Sequence, residues 1–90
     1  MEWITYIKIM AKLLKLTISK VDAPVFDGPV VSVTVPGTEG EMTILADHTA
    51  LISVLKTGLI TVLTETGATE TFDITSGTIE ISHNHATILI

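Results

Sequence analysis

Side chains branched at Cβ dominate this chain and restrict the folds open to it. Isoleucine occurs 12 times, valine 8 times and threonine 15 times, so that 35 of the 90 residues carry a branched Cβ. Such side chains are stiff in a helix and pack well on a pleated sheet. Arginine is absent, and the alanine, lysine and glutamate that usually fill surface helices are scarce. The composition alone therefore predicts an all-β protein.

Apolar and polar residues alternate along short segments that begin near residue 13. Leu14, Leu16 and Ile18 face one way and the polar residues between them face the other, as in a half-buried strand. Glycine-containing turns separate the segments, which cover 13–19, 23–28, 31–35, 42–45, 51–55, 59–64, 69–75, 79–82 and 86–90. Many short strands at such spacing are typical of a sandwich or barrel. We expect an all-β, about ten-stranded two-sheet β-sandwich over residues 13–90.

The core of this sandwich follows from the same alternation, because one face of every strand must be apolar. The predicted core residues are Leu16, Ile18, Val33, Ile44, Phe72, Ile74, Ile79 and Ile88.

Residues 1–12 form a short N-terminal extension with a different composition. They hold the only tryptophan, Trp3, and the only tyrosine, Tyr6. Glu2 comes first and Lys8 interrupts the apolar run, so the segment lacks the features of a signal peptide. Because Met10, Ala11 and Lys12 look like an ordinary bacterial chain start, we expect the residues before them to be dispensable, with a short amphipathic helix as the alternative.

Charge and composition exclude several functional classes. Ten acidic residues against five lysines give a net charge of −5, which argues against nucleic acid as a main partner. Without cysteine there is no disulfide, thiolate nucleophile or cysteine-bound zinc. No apolar run approaches the length of a membrane-spanning helix. A mean hydropathy of +0.58 is high for so small a domain, which indicates two apolar inner faces or a surface that a partner covers.

The three histidines raise the question of a metal site. His83 and His85 form an H-x-H pair, but Asn84 between them favours a turn over a strand. A mononuclear site also needs a third ligand, for which His48 or an acid is the candidate. Loop histidines in contact with solvent are the simpler interpretation, and we predict no metal site.

Catalytic motifs are equally weak. Ser76, His48 and Asp47 could be imagined as a triad, but no G-x-S-x-G elbow accompanies the serine, and adjacent Asp47 and His48 cannot easily make the orienting hydrogen bond. Glu39 and Glu41 lie on a glycine-rich turn without the pocket that a glycosidase needs. No glycine-rich phosphate loop with a lysine is present. We expect no catalytic residue, no cofactor and no bound nucleotide.

The segment from Pro36 to His48 stands out because it is acidic and rich in turn residues. Glu39 and Glu41 flank Gly40, and glycines this close together usually indicate a specific backbone shape. A tight turn with solvated acids would explain the pattern. A rigid, negatively charged tip that meets a basic partner would explain it as well.

The longest ordered pattern is V-x-V-P-G-T-E-G-E-x-x-I-L-x-x-H-x-x-L-I-x-x-L-K-x-G, from Val33 to Gly58. It resembles the N-terminal domain of the epsilon subunit of F-type ATP synthase. The resemblance extends through Leu16–Gly28 at the start and Ser76–Leu89 at the end, so it covers residues 13–90. Where the family often has Pro-Gly before the histidine, this chain has Ala46 and Asp47.

The resemblance implies a ten-stranded β-sandwich in the central stalk of the synthase. It implies a non-catalytic role, in which the domain fastens the gamma subunit to the c ring and couples proton-driven rotation to ATP synthesis. It also implies a peripheral position at the cytoplasmic face of the bacterial inner (plasma) membrane. Most bacterial members continue into a C-terminal helical hairpin that inhibits the enzyme and in some binds ATP. Because this sequence ends at Ile90 with its last predicted strand, we expect either a naturally short form or a chain without its hairpin.

By the same resemblance, the residues expected to meet the c ring or gamma are Thr38, Glu39, Gly40, Glu41, Asp47 and His48. The c ring's polar loops commonly carry basic residues, which would suit an acidic tip. Two other functions stay open at this point. An acidic β-sandwich could bind an unrelated protein partner, and a cupin-like metal site could use His48, His83 and His85.

Overall fold

The computed structural model describes residues 12–90, and every regular element in that range is a β-strand. Eight strands follow one another along the chain: β1 Leu14–Ser19, β2 Pro24–Gly37, β3 Gly40–Leu45, β4 Leu51–Leu55, β5 Gly58–Thr64, β6 Thr69–Ile74, β7 Gly77–Ser82 and β8 His85–Leu89. Within residues 12–90, no helix has the length and hydrophobicity that a membrane crossing requires. Of the predicted extension 1–12, all but Lys12 lies outside the described residues.

The strands form two layers that share β2. The first layer runs in the order β4, β7, β8, β1 and then the first half of β2, and the second runs β6, β5, the second half of β2 and β3. All of these pairings are antiparallel except that of β1 with β8, which is parallel. At its far end β2 also meets β4, where Gly37 pairs with Leu55.

A bulge at Val31 lets β2 pass from one layer to the other. Val30 pairs with Thr64 of β5 and Ser32 pairs with Leu63, so Val31 is an extra residue without a partner. Because one extra residue reverses which side chains face inward, the buried positions change from Val30 to Val33 and Val35.

The core lies between the two layers. All eight strands contribute side chains to one apolar cluster, and most of these side chains have no exposed surface. Phe26 of β2 and Phe72 of β6 join the layers through an edge-to-face contact, with ring centres 6.2 Å apart. The predicted core is confirmed: Leu16, Ile18, Val33, Ile44, Ile74, Ile79 and Ile88 are buried, and Phe72 packs against them half-buried.

The all-β sandwich is confirmed, with eight strands where about ten were expected. The segments 23–28 and 31–35, predicted as separate strands, are both parts of β2. Asp27 and Gly28 do not form the expected turn because both pair with β1, Gly28 opposite Leu16.

Candidate partner-binding surfaces

The acidic tip is the turn between β2 and β3, where Gly37 pairs with Gly40 and Thr38 and Glu39 form the bend. Gly40 has a φ of 134°, which L side chains rarely adopt. A Cβ on Gly37 would lie 2.7 Å from the Gly40 carbonyl oxygen, so glycine is needed there for space. The glycines therefore give the tip a fixed shape, as the sequence indicated.

The tip is tied to the neighbouring strand and presents its acids to solvent. The Thr38 amide donates to the Val54 carbonyl at 3.0 Å, and the Lys56 amide donates to the Pro36 carbonyl at 2.9 Å. Glu39 and Glu41 are both exposed. Two carboxylates on a braced turn offer only hydrogen-bond acceptors and negative charge, which suits a basic partner.

Asp47 and His48 lie in the loop between β3 and β4, a short segment with its own bracing. Asp47 has a φ of 63° and accepts a hydrogen bond from Lys12 Nζ at 2.6 Å. The pKa of Lys12 is raised above its ordinary 10.5, mainly by this hydrogen bond and also by the negative charge of Asp47. His48 Nδ1 lies 2.8 Å from the Thr49 carbonyl oxygen. Since a carbonyl only accepts, Nδ1 donates in this contact, and Nε2 takes no part in it.

The structure does not bring the six predicted residues together. Thr38, Glu39, Gly40 and Glu41 cluster at the start of β3, whereas Asp47 and His48 follow its end. A strand of this length separates the two groups by roughly 17 Å. The predicted set is therefore two surfaces, an acidic tip and a histidine loop.

A third surface, which was not predicted from the sequence, is apolar. Ile52 and Val54 of β4 are 75% and 56% exposed, and Leu89 of β8 is 55% exposed. Val54 pairs with Thr78 and Thr78 pairs with Leu89, so Val54 and Leu89 lie on either side of Thr78 on the outer face of the first layer. Ile52 lies two positions before Val54 on the same face of β4 and pairs with Glu80. We call Ile52, Val54 and Leu89 the apolar strip. Its signal in the sequence is that β4, Leu51–Leu55, has apolar residues on both of its faces.

Comparison with known proteins identifies the family of this chain. Residues 13–90 match the family described as ATP synthase, Delta/Epsilon chain, beta-sandwich domain. The chain belongs to this family. An ATP synthase epsilon chain of Nitratiruptor sp. is 42% identical over 77 residues, which are 86% of this chain and 60% of the relative. That of Protochlamydia amoebophila is 40% identical over 77 residues, again 86% of this chain and 52% of the relative.

Solved structures share the fold of this delta/epsilon domain. A chain in the cryo-EM structure of Euglena gracilis mitochondrial ATP synthase (OSCP/F1/c-ring, rotational state 1) superposes with a TM-score of 0.81. It is 26% identical, over 86% of this chain and 49% of that one. A chain of the Tetrahymena thermophila mitochondrial ATP synthase central stalk and c ring shares the fold, with a TM-score of 0.70 at 20% identity over 83% of this chain and 60% of that one. This chain thus spans about half to three-fifths of the length of these relatives.

One departure from the delta/epsilon pattern has a structural explanation. Asp47 stands where the family often has glycine before the histidine, and its φ of 63° is in the left-handed region that glycine adopts most easily. Aspartate is among the few other residues that tolerate this conformation. The loop therefore keeps the backbone shape that glycine permits and adds a carboxylate.

The alternative of a cupin-like metal site from His48, His83 and His85 finds no support in this delta/epsilon domain. Among residues 12–90, no three His, Asp or Glu side chains converge to hold a metal ion. His85 Nε2 lies 3.0 Å from the Thr17 hydroxyl, which donates to Asp27 at 3.2 Å. Its ring is thus part of a hydrogen-bonded row across the outer face of the first layer.

Proposed function

We propose that this chain is the β-sandwich part of a central-stalk subunit of F-type ATP synthase, where it fastens the gamma subunit to the c ring. The observation that supports this most directly is its 0.81 TM-score, at 26% identity, with a chain of an ATP synthase assembly that contains F1 and the c ring. Epsilon chains at 40–42% identity support the same assignment.

The role is mechanical and not catalytic. The domain passes the rotation of the proton-driven ring to the stalk, and the synthase makes ATP elsewhere. A sandwich with a buried apolar core and no buried polar side chain in residues 12–90 suits this work, because close-packed interiors transmit strain with little compression.

The apolar strip is the surface proposed to meet gamma. Ile52, Val54 and Leu89 are large and exposed on the outer face of the first layer, and strand β4 pairs with β2 only at Leu55. Exposed apolar side chains so close together favour a protein interface, because their burial is the main driving force of association. The histidine loop precedes β4 directly, so a partner on the strip also reaches Asp47 and His48.

The acidic tip is the surface proposed to meet the c ring. Glu39 and Glu41 are exposed on a turn whose shape the glycines fix, which favours basic ring loops. The domain is then peripheral to the membrane through the complex, and in a bacterium it lies at the cytoplasmic face of the inner membrane.

Complex formation with gamma tests the proposal. Purified chain and the gamma subunit of the same organism are mixed and separated by size-exclusion chromatography with light scattering, and the affinity is measured by calorimetry. A 1:1 complex is expected. The Val54→Ser variant should weaken it about tenfold or more, since central apolar anchors dominate interface energies.

Leu59→Ser is the matched control for this experiment. Leu59 is 51% exposed, close to the 56% of Val54, but it lies in the second layer. It should leave the affinity for gamma within about twofold. If the unaltered chain forms no complex with gamma, the proposed function is wrong, and the acidic domain binds some other protein. If Leu59→Ser weakens the complex as much as Val54→Ser, the apolar strip is not the gamma surface.

A further inference from the structure

One carboxamide connects three segments that are far apart in the sequence. Asn84 Oδ1 accepts a hydrogen bond from the Asp47 amide at 2.8 Å, and Nδ2 donates to the Leu13 carbonyl at 2.8 Å. These contacts join the β7–β8 turn to the histidine loop, 37 positions away, and to the start of β1, 71 positions away. Lys12 completes the circle through its contact with the Asp47 carboxylate.

Both ends of the Asn84–Asp47 hydrogen bond have unusual backbones. His83 and Asn84 have φ values of 52° and 59°, as a two-residue type I′ hairpin turn requires. Asp47 has a φ of 63°. A residue other than glycine keeps this conformation only where the surroundings favour it. The hydrogen bond from Asn84 holds the Asp47 amide at the point where the loop bends.

We propose that Asn84 is the positioning residue of the histidine loop, which it holds in the conformation that presents His48 Nε2 and the Asp47 carboxylate to the partner. This inference rests on the proposed function, because it takes the loop as part of the gamma-binding surface. Asn84 itself acts only through Asp47.

The chemistry of the site selects asparagine. The Asp47 amide needs an acceptor, and the Leu13 carbonyl needs a donor. A carboxamide supplies both from two separate atoms of one short side chain, whereas a carboxylate supplies only acceptors and a hydroxyl would have to serve both partners from a single oxygen. Asparagine also tolerates the left-handed backbone that position 84 requires. Glycine would suit that backbone equally well but would leave the loop without its tether.

The consequence is preorganisation. When the loop is held before binding, the partner does not have to order it, and the complex is tighter by the entropy saved. Loss of the tether should therefore weaken gamma binding by roughly fivefold to thirtyfold. The fold should remain, since residues 83–84 lie outside the apolar core.

The test uses variants of the full chain and two measurements. Asn84→Gly keeps the turn and removes both hydrogen bonds, and Asn84→Asp keeps the acceptor for the Asp47 amide. His83→Gly is the matched control, because it changes the other residue of the same turn, which has a similar φ. Among residues 12–90, His83 makes no hydrogen bond to the histidine loop. Hydrogen exchange of the Asp47 amide is followed by NMR, and affinity for gamma by calorimetry.

For Asn84→Gly we expect exchange of the Asp47 amide at least tenfold faster and weaker gamma binding in the range above. Asn84→Asp keeps the acceptor but loses the donor to Leu13, so its exchange rate and its affinity should both lie between those of Asn84→Gly and the unaltered chain. His83→Gly should change neither quantity. A merely structural role for Asn84 would lower the melting temperature without changing the affinity of the folded protein.

The proposal is overturned if the Asp47 amide of Asn84→Gly exchanges as in the unaltered chain. It is overturned equally if exchange accelerates and gamma binds as before. Failure of the proposed function looks different, because the unaltered chain then binds no gamma at all, while the exchange measurement still reports whether Asn84 holds the loop.

Discussion

Replacement of a strand glycine by alanine should change the stability of this domain in opposite directions at two positions, Gly77 of β7 and Gly28 of β2. A Cβ on Gly77 would lie 2.6 Å from the Leu89 carbonyl oxygen and 3.0 Å from Ile90 Cγ2. A Cβ on Gly28 would have no atom within 4 Å, and Gly28 is not among the residues with positive φ. Gly77→Ala therefore introduces a clash, and Gly28→Ala does not.

The size of each effect follows from the contacts. A carbon and a carbonyl oxygen come no closer than roughly 3.3 Å, so position 77 must open by about 0.7 Å against a backbone atom of β8. Overpacking of this kind costs about 1–3 kcal/mol. Alanine in place of a strand glycine without a clash is favourable by about 0.5–1 kcal/mol. For a domain of this size, 1 kcal/mol changes the melting temperature by about 4–8 °C.

Thermal unfolding followed by circular dichroism measures both variants, and urea unfolding checks that the slope is unchanged. Gly77→Ala should melt at least about 4 °C below the unaltered chain, and Gly28→Ala a few degrees above it. The interpretation of the β7–β8 contact is refuted if Gly77→Ala melts with the unaltered chain, or if Gly28→Ala falls as far.

Three further predictions concern the core, the tip and the ion pair. Ile88→Ala should cost about 2–5 kcal/mol in urea unfolding and Ile88→Val about 0.5–1.5 kcal/mol, because Ile88 is fully buried; an equal cost for exposed Leu89→Ala would contradict this. Changing Glu39 and Glu41 together to Gln should slow assembly onto the c ring and lessen its salt dependence, and changing both to Lys should slow it more; normal coupling of the double Lys variant at low salt would mean that the tip is only solvated. The raised pKa of Lys12 implies that its ion pair with Asp47 stabilises the fold fully below pH 10.5 and that this stabilisation is lost as the pH rises further. The melting temperatures of Lys12→Met and the unaltered chain should therefore converge above that pH, and a difference that stays constant would mean that the ion pair does not cause it.

The sequence predicts the sandwich core well because burial repeats every second residue. Leu16, Ile18 and Ile79 could be assigned from their own strands, without knowledge of any partner strand. The bulge at Val31 could not, since Val31 and Val33 are chemically identical and only the pairing with β5 distinguishes them. A turn signal at Gly28 was misleading for the same reason, because the competing interaction comes from β1.

The candidate surfaces differ in the same way, because some depend on one segment and others on contacts between segments. The tip at Gly40 is a local feature, so its glycines predict its shape. The apolar strip requires β4, β7 and β8 to be neighbours, and the tether from Asn84 to Asp47 requires two loops to meet. Neither distance along the chain nor residue type indicates such contacts in advance.

The shared strand β2 has a mechanical consequence. In a sandwich of two separate sheets, a sideways load on one sheet reaches the other only through side-chain contacts. Here the 14 residues of Pro24–Gly37 form one strand whose first half belongs to one sheet and whose second half belongs to the other, so part of the load passes through a continuous covalent backbone. The layers can shear apart only if β2 separates from β1, or from both β3 and β5, and either event breaks many hydrogen bonds at once. A body built this way resists shear between its two layers.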